Sequence, residues 1–255
     1  MDVASFDDKA VLKIFNDLGQ LLRSRRLDLG RTTYSLPLAL GIREALQCGY
    51  DKLSVIEFGV AAGAGLLDLC KAAHYFRDTF GMDIRVYGFD TGSGLPELHG
   101  YRDHPELWHQ GKYAMEDPDR LRAKLPPFAE LIIGDIGETL VPFQEKLEEH
   151  PLAFVSVDVD FYSSAVKTLP VFTGPADHYL PAVPIYFDDI LQLFMYHPWA
   201  GESLAVSEFN EAQAMRKIAA KPHFNMVGLH ACHVLDHPIC QGEQKARFPL
   251  MGRTI

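Results

Sequence analysis

Residues 54–65 read SVIEFGVAAGAG, and this stretch constrains the chain more than any other. A short apolar run carrying β-branched residues reads as a buried strand, here reaching the acidic Glu57. Glycines at 59, 63 and 65 then let the backbone turn tightly and approach a ligand without Cβ interference. Leu66, Leu67, Leu69, Cys70 and Ala73 recur at core-facing spacing and continue the segment as a helix over residues 66–76. Strand, glycine turn and helix in that order form the nucleotide-binding opening of an α/β sheet.

The spacing bears on which nucleotide. A dinucleotide fold requires G-x-G-x-x-G with an acid about 20 residues further on. This chain has Glu57-x-Gly59-x-x-x-Gly63-x-Gly65, and the acid closing the next strand, Asp90, lies well beyond that distance. No Lys-Ser/Thr follows the glycines, so a Walker-type phosphate cradle is absent. S-adenosylmethionine carries no phosphate and needs only close backbone approach and a carboxylate for its ribose diol, which this pattern fits better. A turn of this kind can also do no more than join strand to helix.

Composition narrows the partners. The chain has 255 residues, 47% of them hydrophobic and 23% charged, enough to bury a full core in one domain or a domain with an appendage. A formal charge of −10 argues against nucleic acid, since phosphate contacts require clustered Lys and Arg. The one dense basic patch, Arg23-Ser24-Arg25-Arg26, reads as a solvated helix end. Four scattered cysteines (48, 70, 232, 240) give no disulfide framework and point to a reducing cytoplasm. The acidic start (Asp2, Asp7, Asp8) is unlike a signal peptide, and no apolar run reaches membrane-spanning length.

Periodicity places a helical cap over residues 1–50. One stripe comprises Val11, Ile14, Phe15, Leu18, Leu21 and Leu22; a second helix covers 36–46, with Thr32-Thr33-Tyr34-Ser35 available to cap it. These apolar helices are available for a homodimer contact or for covering a cofactor. Residues 51–255 then read as strands at 54–58, 85–89, 130–133, 153–157 and 184–187, separated by helical or lid-like segments. Such alternation implies a Rossmann-like, mostly parallel sheet with helices on both faces and a ligand outside the carboxyl ends of its strands. A helix over 203–220 and a closing antiparallel hairpin from 224–229 and 231–235 complete the expectation.

Every expected strand finishes at or near a carboxylate: Glu57, Asp90, Asp135, Asp158 and Asp188. An acid beside apolar sequence is costly unless paired, hydrogen-bonded or on a metal. Any single one can be a helix cap or turn residue; converging on one sheet edge, the set favours a site. Asp158-Val-Asp160 and Asp188-Asp189 carry the chemistry in this reading. Three hard oxygen ligands from two neighbouring strand ends match what Mg²⁺ accepts, and a divalent cation lowers the pKa of a hydroxyl and fixes it in line with a sulfonium methyl. The alternative is that Asp158 orients the cofactor or closes a turn and no metal binds.

At these residues the chain resembles the class I S-adenosylmethionine-dependent methyltransferases, and within them the macrocin O-methyltransferase (TylF/MycF-like) family of antibiotic biosynthesis. The matching segments are VIEFGVAAGAG, YGFDTGSGLP, GDIGETL, VDVDFYSS, FDDI and HPWAGESLAVSEFNEA, in family order over residues 54–212. The resemblance implies that Gly59, Ala61 and Gly63 line the methionine end of the cofactor, with Glu57 supporting the turn. It implies that Asp90, with Thr91 beside it, holds the ribose, and that Asp135 and Ile136 flank the adenine. Asp158, Asp188 and Asp189 would be the metal ligands. The chain departs from the family at Thr91-Gly92-Ser93, at Ser163, and in residues 191–196, which separate the paired aspartates from His197-Pro198-Trp199.

His197 is the expected catalytic base beside Asp158, because an imidazole near its ordinary pKa can take a hydroxyl proton at physiological pH; packing on Trp199 is the competing reading. Glu208, within the last matching segment, reads as structural. Residues 91–127 form a long connection bearing His99, Tyr101, His104, Trp108, His109 and Tyr113, either a lid over a planar or glycosidic acceptor or a solvent-facing flap. His230, Cys232, His233, His237 and Cys240 match no zinc template, since strand alternation places Cys232 and His233 on opposite faces. The sequence therefore reads as an O-methyltransferase acting on a sugar or phenol hydroxyl of a small-molecule natural product, Mg²⁺-assisted. Its rivals are the same enzyme without metal and a degenerate methyltransferase domain that only binds.

Overall fold

The apolar runs become strands β1 (Lys52–Phe58), β2 (Asp83–Asp90), β3 (Ala129–Ile133), β4 (Leu152–Val157) and β5 (Ala182–Phe187), joined by β6 (Arg216–Ala220) and β7 (Leu229–Val234). The computed structural model describes residues 28–190, 197–221, 226 and 228–242. The strands form one sheet in the order β3-β2-β1-β4-β5-β7-β6. Neighbours from β3 to β5 run parallel, whereas β7 is antiparallel to both β5 and β6. β4 is buried along its whole length and β1 everywhere but Lys52, as expected for central strands covered on both faces.

The principal helices are α1 (Thr32–Cys48), α2 (Ala64–Phe80), α3 (Pro118–Arg122), α4 (Ile136–Phe143), α5 (Tyr162–Thr168) and α6 (Gly201–Ala212). α1 packs on β4, β5 and α2. The expected stripe from Val11 to Leu22 and the basic patch at Arg23–Arg26 lie outside the described residues. No described helix is long and apolar enough to cross a membrane. Strand order reverses at β1, which sits between β2 and β4, so the crevice for a ligand opens above the carboxyl end of β1.

Three local expectations need correction. Thr32-Thr33-Tyr34-Ser35 does not cap α1; the helix starts at Thr32 after Arg31 with no side-chain cap, and Tyr34 and Ser35 are turned inward and buried. The helix expected to reach residue 220 ends at Ala212, and residues 216–220 are β6. The Asn210 side chain accepts from the Ile218 N–H (2.7 Å) and donates to the Ile218 carbonyl (2.8 Å), which closes this helix-to-strand turn. The closing hairpin is consequently β6 with β7 rather than 224–229 with 231–235; residues 222–225 and 227 lie outside the described residues.

The long connection after β2 folds back on itself through Leu95 N–H to Lys112 carbonyl (2.8 Å), Gly111 N–H to Leu95 carbonyl (2.8 Å) and Met115 N–H to Gly92 carbonyl (3.1 Å). Asp103, fully buried within it, accepts from the Ser163 N–H (2.7 Å), the Ser163 hydroxyl (3.0 Å) and the His99 N–H (2.7 Å). A carboxylate from this connection thus satisfies a free N–H in the first turn of α5, a helix that has no side-chain cap of its own.

Candidate active site

The carboxyl ends of β1 and β4 nearly touch. Gly59 (φ +87°) donates to the Phe89 carbonyl (2.9 Å), and a Cβ there would lie 1.7 Å from the Asp158 carbonyl oxygen. Val60 and Ala61 donate their N–H groups to Asp90 Oδ2 (2.9 and 2.8 Å), and Gly92 donates to Asp90 Oδ1 (2.6 Å). Asp90 therefore clamps the glycine turn to the end of β2 while keeping lone-pair capacity for a ligand. Behind the turn, the Tyr34 hydroxyl donates to Glu57 Oε1 (2.7 Å), and a Cβ at Gly65 would meet that oxygen at 2.0 Å.

Glu57 is almost wholly buried, and burial pushes it up to about 8, the Tyr34 hydrogen bond holding it back in part. Its Oε2 has no hydrogen bond among the described residues. Tyr34→Phe removes the one donor and leaves a buried carboxyl unsatisfied, so it is expected to destabilise the protein by about 1–3 kcal/mol. Urea unfolding measures this, and an unchanged midpoint would show that the pair contributes nothing.

All the strand-end acids but Asp135 converge, with Asp160 and Asp189, on a cavity of about 370 Å³ that the glycine turn also lines. Among the described residues, one group of carboxylates could hold a metal ion: Asp158, Asp160 and Asp189, whose oxygens lie within 4.8 Å of one another. Asp160 reaches this position through a left-handed backbone (φ +57°), which a non-glycine residue adopts only at a cost. Burial, then Asp188 and Asp189, raises Asp158 to about 7; burial, then Asp189 and Asp158, raises Asp160 as well. Asp188 lines the same cavity, and its Oδ1 accepts from the Tyr186 hydroxyl (2.9 Å). Behind them Glu202, fully buried on α6, accepts from the Asp189 N–H (3.0 Å), and burial followed by Asp189 drives its carboxyl well above the ordinary range.

Of the residues singled out in the sequence, Glu57, Gly59, Ala61, Asp90, Thr91, Ile136, Asp158, Asp188 and Asp189 line the cavity. Gly63, Asp135 and His197 do not. Gly63 is the left-handed residue before α2, and a Cβ there would strike Leu121. Asp135 caps α4 through the Gly137 N–H (2.8 Å) and pairs with Lys167 (2.7 Å). His197 packs beside His104 and Trp199, with ring centres 5.3 and 5.9 Å apart, and its Nδ1 accepts from the Trp199 N–H (3.3 Å). From the long connection, Trp108 and Tyr113 reach the cavity, whereas Tyr101 is exposed and His104 is buried against Glu106. Glu208 accepts from the Tyr162 hydroxyl (2.6 Å). In the tail, His233 faces Lys221 (2.9 Å) and His237 faces Tyr50 (3.2 Å).

Arg31, Tyr34 and Glu202 support the site, but none of them has a role there in the sequence reading: Tyr34 stood in the expected cap and Glu202 within the last matching segment. Arg31 precedes a helix and lines the cavity, and Glu202 lies in the first turn of α6. Only their neighbours in space reveal them.

No protein-family model matches the chain, and no curated protein matches it. Solved structures do. The chain is similar to the calicheamicin methyltransferase CalS11 with a TM-score of 0.57 and 18% identity over 88% of this chain and 90% of that one. It is similar to the O-methyltransferase NovP with a TM-score of 0.55 and 16% identity over 79% of each chain. At such identity the likeness establishes the fold: a Rossmann-like methyltransferase sheet with its C-terminal antiparallel hairpin.

Proposed function

We propose that the chain is an S-adenosylmethionine-dependent O-methyltransferase that methylates a hydroxyl of a small-molecule acceptor, a sugar or phenol of a natural product, with the help of Mg²⁺. The observation that carries this reading is the meeting, in one cavity, of a tightly closed glycine turn, the Asp90 clamp and the carboxylate cluster. The fold shared with CalS11 and NovP, both described as methyltransferases, supports it.

The residues fit both groups. Gly59 and Gly65 let the turn close on Asp158 and Glu57 at the cavity wall, where Ala61 adds only a methyl; Asp90 retains an acceptor for a ribose hydroxyl, and Ile136 offers an apolar side to adenine. When bound, S-adenosylmethionine supplies an electrophilic methyl on a sulfonium, and acids at the cavity wall suit that positive charge. Asp158, Asp160 and Asp189 offer hard oxygens suited to a divalent cation, with Asp188 alongside; such a cation, when bound, supplies the charge that makes a hydroxyl more acidic. Glu202 fixes the loop carrying Asp189 through its backbone N–H. Trp108 and Tyr113 give the acceptor an aromatic wall.

With His197 outside the cavity, Asp158 is the proton acceptor best placed by geometry, and a carboxyl at about 7 suits that role without metal too. That favours keeping the metal-independent enzyme as a second reading. Thermal stabilisation by S-adenosylhomocysteine, with and without Mg²⁺, tests the set. A ligand at 100 times its Kd is expected to add about 2.7 kcal/mol of stability. Absence of any shift with S-adenosylhomocysteine would overturn the assignment. Methylation of glycosides or phenols that persists in chelator would leave the metal-independent enzyme.

A further inference from the structure

Six carboxyl groups line the cavity, and Arg31 is the sole cation among the described residues that do. An anionic group entering such a cavity has one favourable destination. Arg31 is oriented for it: its backbone N–H donates to Asp68 Oδ2 (3.2 Å), its Nε lies 3.6 Å from the same oxygen, and its guanidinium carbon lies 5.6 Å from the centre of the Tyr34 ring. Tyr34 in turn holds Glu57, so the guanidinium belongs to the glycine-turn end of the cavity. The Arg31 side chain is 44% exposed, and its terminal nitrogens have no hydrogen bond to a described residue.

We infer that Arg31 binds the α-carboxylate of the donor's amino-acid portion, and so fixes which end of the donor enters the glycine turn. This rests on the S-adenosylmethionine reading above. A planar guanidinium offers two parallel N–H donors to a carboxylate, and Asp68 preorganises it without occupying that fork. The surrounding acids then serve the positively charged ammonium and sulfonium, which makes the cavity selective for a ligand with charges in this order.

Calorimetric binding of two probes tests the assignment: S-adenosylhomocysteine, which has the carboxylate, and 5′-methylthioadenosine, which lacks the whole amino-acid portion. Arg31→Met is expected to weaken S-adenosylhomocysteine about 10–100-fold and to leave 5′-methylthioadenosine within about twofold. Arg31→Lys, which keeps the charge and loses the fork, is expected to fall between and guards against misfolding of the methionine variant. Equal losses for both probes, or none for S-adenosylhomocysteine in either variant, would overturn the role of Arg31. Failure of the unaltered protein to bind S-adenosylhomocysteine would instead overturn the donor reading itself.

Discussion

Gly59→Ala is expected to destabilise the protein by roughly 2–5 kcal/mol and to abolish binding of S-adenosylhomocysteine. The backbone at φ +87° is left-handed, which costs a side-chain-bearing residue about 1–2 kcal/mol. The new Cβ would also lie 1.7 Å from the Asp158 carbonyl oxygen and 2.7 Å from its carbon. These are backbone atoms of the segment leaving β4, so no rotamer relieves the clash. The ends of β1 and β4 must part, and Asp158 and Asp160 move with them. Gly111 is the control: its φ is +79°, but nothing lies within 4 Å of a Cβ there, so Gly111→Ala carries only the conformational part. Urea unfolding of both variants separates the two contributions. Equal midpoints would show that the strand ends are not held in contact.

That contact explains why so much of the fold was legible. β1, β4 and β5 are buried nearly end to end and β2 over most of its length, so their sequences are mainly apolar, and each stops where the chain leaves the core. The acids at those stops announce the sheet edge. What happens past the stop is decided by backbone geometry no local pattern encodes. Asp160 joins Asp158 and Asp189 because the chain turns left-handed at that residue, while Asp188 takes a hydrogen bond from Tyr186. β6 was illegible for a different reason. RKIAA is acceptable to a helix, and pairing with β7 and the Asn210 clamp override that preference. His197 follows the paired aspartates in sequence, but the direction of a loop cannot be read from its spacing, and it packs against His104 and Trp199.

Asp158→Asn is expected to lower turnover by roughly 10²–10⁴-fold while leaving the ligand-free protein folded. Either role proposed for Asp158, proton acceptor or metal ligand, needs a carboxylate, and asparagine supplies neither the charge nor the proton capacity. The same variant has a signature in stability against pH. In the unfolded chain Asp158 and Glu57 ionise near 4, whereas the folded protein holds them at about 7 and about 8. Between pH 4 and 8 the native state therefore keeps protons that the unfolded state has lost. The stabilising contribution of these two groups is complete below about pH 4 and disappears as pH rises through 7 and 8. The melting temperature of the ligand-free protein should accordingly fall between pH 5.5 and 8.5, and fall less steeply in Asp158→Asn, where only Glu57 of this pair remains. Mg²⁺ should act in the opposite sense, stabilising the unaltered protein more at pH 8.5 than at 5.5, because the carboxylates it would displace protons from are then free. A melting temperature indifferent to pH would sink the claim that these acids are confined together, and equal stabilisation of Asp158→Asn by Mg²⁺ would remove Asp158 from the metal's ligands.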